Sequence, residues 1–179
     1  MFVDSLTTNA IAARDGDRDA LQRFVRTGQV DVWRLCARLV GRDLADDACQ
    51  DAMIRAIGAL PQYRGESSAR TWLLSITRRT CADTIRQRQR QRRLFDRITS
   101  RRIETESVPD HFVELGDLVD SLDEDRRLAF VLTQELGLGY AEAAEVCGCP
   151  VGTIRSRVAR ARTDLLEQID LPGDLAAEA

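Results

Sequence analysis

Apolar residues recur along this chain at three- and four-residue spacing, and no stretch reads as a β-rich domain. The pattern predicts helices over residues 8–28, 31–41 and 43–60. Pro61 and Gly65 then punctuate a short loop, QYRGESS. Ser67 or Ser68 is a suitable N-cap for the helix that follows, ARTWLLSITRRTCADTIRQRQRQRR, which runs out around residue 93. Residues 94–116 combine mixed polarity, a proline and weak periodicity, the signature of a linker. From Asp117 the periodicity returns in three segments, DLVDSLDEDRRLAFVLTQEL, YAEAAEVC and TIRSRVARARTDLLEQI. Gly137 and Gly139 part the first two, and GCPVG parts the last two. The expected fold class is all-α: two small helical modules, residues 1–93 and 117–179, on a flexible linker, residues 94–116, with a frayed tail after Leu171.

Charge sharpens this picture. The 179 residues carry a net charge of only −3, and all 26 basic residues are arginine. Residues 78–102 hold ten arginines against Asp83 and Asp96, a local balance of +8, whereas residues 103–125 hold nine acids and no arginine. Such asymmetry points to a polyanionic partner with some self-screening between surfaces. Hydrophobic residues at 44% exclude wholesale disorder. No apolar run approaches the roughly 20 residues of a spanning helix, and the N-terminus lacks a secretion signal, so no membrane insertion and a cytoplasmic location are expected. The five cysteines (Cys36, Cys49, Cys81, Cys147, Cys149) are odd in number and scattered, which suits buried apolar thiols better than a disulfide framework. With His111 the sole histidine, no metal site is expected. No phosphate-binding glycine loop and no nucleophile–base constellation are present. The chain is therefore read as a non-enzyme, with no catalytic residue and no cofactor.

YAEAAEVCGCPVGTIRSRV has the form of a helix-turn-helix, with Ala144 small where two helices cross and Gly148 at the turn. At about 100° per residue, Ile154, Val158, Ala161 and Leu165 share an arc of roughly 60°. Arg155, Ser156, Ala159 and Arg160 lie on the opposite half, with Arg157 and Arg162 on the flanks and no acid between 151 and 162. A solvated face normally mixes signs in i,i+4 pairs. Arginines set between small residues instead suit close approach to a major groove, where Arg takes guanine O6 and N7 together. The Gly152–Thr153 turn offers backbone N–H groups to a phosphate.

In the N-terminal module Leu44, Ala45, Ala48, Ala52 and Ala56 form an apolar arc, while Asp47, Gln50, Asp51 and Ile54 cluster on another face. That face fits either a protein-docking site or ordinary solvation. Tyr63 and Trp72 bracket the loop, and Arg78, Arg79, Arg86, Arg88, Arg90, Arg92 and Arg93 run down the next helix. Aromatic faces beside a basic track are what single-stranded nucleic acid requires, although a lone helical Trp is more commonly core.

Together these motifs resemble one family, the extracytoplasmic-function (ECF) alternative sigma factors of bacterial RNA polymerase. ADDACQDAMIRA resembles the family's polymerase-clamp-binding helix, YRGESSARTWLLSITRRTCADTIR its minus-ten segment, and YAEAAEVCGCPVGTIRSRVARAR its minus-thirty-five reader. The resemblance implies that Asp46, Asp47, Gln50 and Asp51 dock on the clamp helices, with the flap region as a second polymerase contact. It implies that Tyr63, Arg64, Gly65, Glu66, Ser67 and Ser68 accept a flipped-out minus-ten base, and that Trp72, Arg78, Arg79, Asp83 and Arg86 line the melted strand. It places Thr153, Arg155, Ser156, Arg157, Ala159 and Arg160 at the minus-thirty-five groove, threads the linker near the polymerase active-site and RNA-exit region, and adds an anti-sigma factor as a further partner. The chain departs from the family pattern at Arg79, where Asn is usual, which favours phosphate contact there. It departs again at Pro150, which moves the recognition-helix cap to Cys149 or removes it. No fused sensory domain is expected after Ala179. The alternative is a helix-turn-helix regulator with an N-terminal sensing or dimerisation domain, which would have no use for the basic aromatic segment 63–93.

Overall fold

The computed structural model describes residues 4–99 and 115–170. Its elements are α1 (Ser5–Arg14), α2 (Arg18–Val40), α3 (Arg42–Ala59), α4 (Ala69–Thr99), α5 (Leu115–Asp120), α6 (Glu124–Phe130), α7 (Tyr140–Cys147) and α8 (Val151–Asp170). A short 3-10 turn, Leu60–Gln62, follows α3. No strand occurs among the described residues. They form two compact units, one holding α1–α4 and the other most of α5–α8.

The first boundary falls at residues 15–17 instead of at Gly28. Gly16 takes a φ of +103°, its amide bonds to Ala13 O (3.1 Å) and the Asp17 amide to Ala12 O (3.0 Å). This is the paired closure of a helix ended by a left-handed residue. Asp17 then turns capping residue, its carboxylate accepting from the amides of Asp19 and Ala20. Gly28 is an uninterrupted part of α2, and a Cβ there would meet Leu73 Cδ2 at 2.6 Å. It is small so that α4 can approach, and propensity alone misreads it as a break.

Around that crossing the core gathers Leu6 and Ala10 from α1, Phe24, Val32 and Cys36 from α2, Ala45, Ala48, Ala52 and Ala56 from α3, and Leu73 and Cys81 from α4. The alanine row lets α2 and α3 lie close, and the Cys36 and Cys81 sulfurs, both fully buried, meet at 3.6 Å. Burying apolar surface at about 25 cal/mol per Å² is what stabilises so small a unit. The Thr71 amide bonds to Ser68 Oγ (3.1 Å), which settles the cap of α4 on Ser68. This helix continues to Thr99, six residues past its expected end near 93; the rest of the expected linker, through residue 114, lies outside the described residues.

In the second unit the predicted single helix over 117–136 is two. Asp123 caps α6 by accepting from the Asp125 amide (3.1 Å), and this local bond competes with continuation of α5. From Val131 the chain widens into a π-helical segment, Val131–Glu135, closed by Leu136 N–H to Val131 O (2.9 Å).

Candidate nucleic-acid interface

The turn between α7 and α8 ends α7 as Gly16 ends α1. Gly148 has a φ of +64°, its amide bonds to Glu145 O (3.2 Å) and the Cys149 amide to Ala144 O (3.1 Å). Pro150 itself occupies the capping position of α8: its carbonyl accepts from Thr153 (2.9 Å) and Ile154 (3.4 Å), and with no polar side chain there the side-chain cap is lost, the second of the two expected outcomes, and not moved to Cys149. The Thr153 amide is thereby used, while that of Gly152 is unpaired among the described residues.

Ile154, Val158, Ala161 and Leu165 are buried, at 8% exposure or less, so the stripe drawn from the sequence is the packed face of α8. Arg155, Ser156, Ala159 and Arg160 are all exposed on the other side. Neither Arg155 nor Arg160 has a partner among the described residues. The Ser156 hydroxyl donates back to Thr153 O (2.9 Å), which folds that side chain down onto the helix. Arg157 differs. It is half-buried, pairs with Asp125 and touches Cys149 Sγ at 3.8 Å, so it ties α8 to the start of α6. Arg162, its counterpart on the other flank, donates to Gln134 Oε1 (2.8 Å) on the π segment. Packing removes both flanking arginines from the free set and leaves two unpaired guanidiniums separated by small side chains.

In the N-terminal unit the loop 63–68 is pinned at its base and open at its tip. Tyr63 is only 3% exposed, its hydroxyl donates to Ser67 O (2.6 Å), and its ring lies 5.0 Å from that of Trp72. Its ring consequently forms a floor under the loop. Trp72 is half-buried against Tyr63 and against Phe24, 6.5 Å away. Arg14 donates to Tyr63 O (3.2 Å). Thr7 completes the pinning: its hydroxyl accepts the buried Ala69 amide (2.9 Å) and donates to Asp4 (2.7 Å). Burial alone would raise the Asp4 carboxyl, but the bonds from the Thr7 hydroxyl and amide outweigh it and hold it below its ordinary value. Arg64, Gly65 and Glu66 project into solvent, with Arg64 and Glu66 only 3.8 Å apart as a weak exposed pair. Ser67 and Ser68 are half-buried.

Along α4, Arg79 is exposed and Arg78 half-buried, and neither has a partner among the described residues. Asp83 is clamped between Arg55 of α3 (2.8 Å) and Arg86 (2.8 Å). The hydrogen bond from Arg55 leads the effects that hold the Asp83 carboxyl below its usual range. Asp83 and Arg86 thus engage each other before any ligand arrives, which reading the residue types singly does not show. On α3, Asp46, Asp47, Gln50, Asp51 and Ile54 are all exposed, as one outward row opposite the buried alanines. Trp33 of α2, absent from the sequence-derived set, bonds to Asp46. Its aromatic type within an arginine-flanked helix was the available signal, but only the packing shows it outside the core.

Residues 24–91 match the family described as Sigma-70 region 2, and residues 112–165 match Sigma-70, region 4. Over 96% of this chain and 95% of the relative, the sequence is 46% identical to the ECF RNA polymerase sigma factor SigC of Mycobacterium tuberculosis. The chain belongs to the ECF sigma factors. It is 34% identical to the ECF RNA polymerase sigma-E factor of Escherichia coli K12, over 89% of this chain and 92% of that one. A solved complex of the sigma factor RpoE with the anti-sigma factor NepR from Bartonella quintana is similar at a TM-score of 0.70 and 27% identity, covering 85% of this chain and 98% of that one. The protein is an RNA polymerase sigma factor, which displaces the reading as a regulator with a sensing domain. No helix among the described residues of this ECF sigma factor is long and apolar enough to cross a membrane.

Proposed function

We propose that this sigma factor divides promoter recognition between its two units as the exposed surfaces divide. The outer face of α8 enters the major groove of the minus-thirty-five element, with Arg155 and Arg160 contacting base edges and Ser156 and Ala159 keeping the face low between them. The observation that carries this reading is that these two guanidiniums are exposed and unpaired while Arg157 and Arg162 are tied down. The loop tip Arg64–Glu66, over the Tyr63–Trp72 floor, receives the minus-ten element, and Arg78 and Arg79 follow the melted strand through its phosphates. Asp46, Asp47, Gln50 and Asp51 dock on the clamp helices of core polymerase, and the second unit meets the flap region. An anti-sigma protein that covers these surfaces is the regulatory partner, and the protein works in the cytoplasm beside the polymerase.

The test uses reconstituted holoenzyme on promoter DNA. Arg155→Ala and Arg160→Ala should each weaken promoter binding by about 1–3 kcal/mol and relax base preference at the upstream element. Asp47→Ala should weaken core binding and leave that preference intact. Wild-type behaviour in all three variants would undo the assignments.

A further inference from the structure

Trp33 stands on the outer side of α2 at 40% exposure, in a unit whose remaining Trp is packed against the core. Its indole Nε1 donates to Asp46 Oδ1 across 2.7 Å and so ties α2 to the beginning of α3. Val30, one turn earlier, is 47% exposed. Together with Gln29, Arg34 and Cys49 they line a shallow cavity of about 360 Å³ that opens to solvent. Past Asp46 runs the acid-and-amide row of α3, ending on Ile54 at 60% exposure. A large aromatic held in place by a hydrogen bond, beside exposed aliphatic groups and a row of carboxylates, has the make-up of an interface anchor with its polar rim.

We propose that Trp33 is a positioning residue of the polymerase-docking surface. Its indole N–H orients the Asp46 carboxylate, and its exposed ring with Val30 carries that surface from α3 onto α2. The inference rests on the docking role proposed above for the α3 row. The bond restricts an Asp side chain that would otherwise sample several rotamers, so less order is lost when a cation of the polymerase meets it. The ring adds an apolar and π surface suited to the stem or guanidinium of an arginine on the partner.

The experiment measures affinity of the full chain for core polymerase in Trp33→Phe, Trp33→Ala, Asp46→Ala and the Trp33→Phe/Asp46→Ala pair. Trp33→Phe keeps a ring and loses the donor, and should weaken binding about threefold to tenfold. Trp33→Ala should weaken it further. In the Asp46→Ala background Trp33→Phe should add nothing, because the group it positions is gone. Urea midpoints should fall only modestly in Trp33→Phe, which keeps the ring, and further in Trp33→Ala, while both chains remain folded at the temperature of the binding assay. Wild-type affinity in both Trp33 variants overturns the proposal, and so does an equal loss from Trp33→Phe in the two backgrounds, which marks a merely structural role. Asp47→Ala separates the two levels: if it weakens binding while the Trp33 variants are normal, the Trp33 proposal alone falls. If all of them bind as wild type, the docking role of the α3 row falls as well.

Discussion

Replacing Thr7 by Val removes one hydroxyl and keeps the side-chain shape, so its effect isolates two hydrogen bonds. Thr7 is 7% exposed, and its Oγ1 both donates to Asp4 Oδ2 (2.7 Å) and accepts from the Ala69 amide (2.9 Å). Ala69 is fully buried, so in the variant its N–H finds no water. An orphaned buried donor costs about 1–3 kcal/mol, and the lost bond to the carboxylate adds to it. Asp4 retains the Thr7 backbone amide at 2.9 Å and is not itself orphaned. The expected loss is about 2–3 kcal/mol, whereas Thr7→Ser, which keeps the hydroxyl and loses a methyl, should cost about 1 kcal/mol. Urea unfolding of the full chain followed by tryptophan fluorescence is the assay, because Trp33 and Trp72 both lie in the N-terminal unit and report it alone. The Asp4 carboxyl is held below its ordinary value in the folded state, so its contribution is complete at neutral pH and is lost as pH falls through the folded value. The gap between wild type and Thr7→Val should therefore narrow below about pH 4. A Thr7→Val protein within about 0.5 kcal/mol of wild type would refute the reasoning. So would a Thr7→Ser protein as unstable as the valine variant.

Gly148→Ala should lower the thermal midpoint of the C-terminal unit through backbone strain alone, since a Cβ there meets nothing within 4 Å while φ is +64°; the cost is about 1–2 kcal/mol, read by circular dichroism, and an unchanged midpoint would contradict it. Arg157→Ala breaks the pair with Asp125, whose side chains are 24% and 56% exposed, and should cost less than about 1 kcal/mol of stability. Base preference at the minus-thirty-five element, measured by competition with substituted promoters, should be unmoved in Arg157→Ala and relaxed in Arg155→Ala.

Of the candidate site, the part legible in the sequence is the part that one helix decides. The wheel placed Arg155 and Arg160 opposite the Ile154–Val158–Ala161–Leu165 stripe, and that division holds in the structure. The row Asp47, Gln50, Asp51 and Ile54 was legible for the same reason, since the alanines at i,i+3 and i,i+4 spacing reserve the other side for the core. Element boundaries were less legible. Gly16 and Gly28 are the same residue type, yet one ends a helix through a positive φ and the other sits inside a helix under Leu73. A single glycine does not announce which of the two it will be.

The sequence by itself determined the helical class, the two-unit order and the faces of α3 and α8, because a period of about 3.6 residues is a local property that alternating polarity writes directly into the chain. Only the tertiary structure decided the roles of Tyr63, Trp33 and Thr7. Tyr63 goes inward because its ring completes a cluster with Trp72 and its hydroxyl finds Ser67 O. Trp33 stays outward where Asp46, from the next helix, accepts a hydrogen bond from its indole N–H. Thr7 serves the start of a helix 62 residues away because α1 packs where that helix begins. Each depends on which element arrives as a neighbour, and a side chain's hydrogen-bond partner across a helix interface has no trace in the spacing of its own segment.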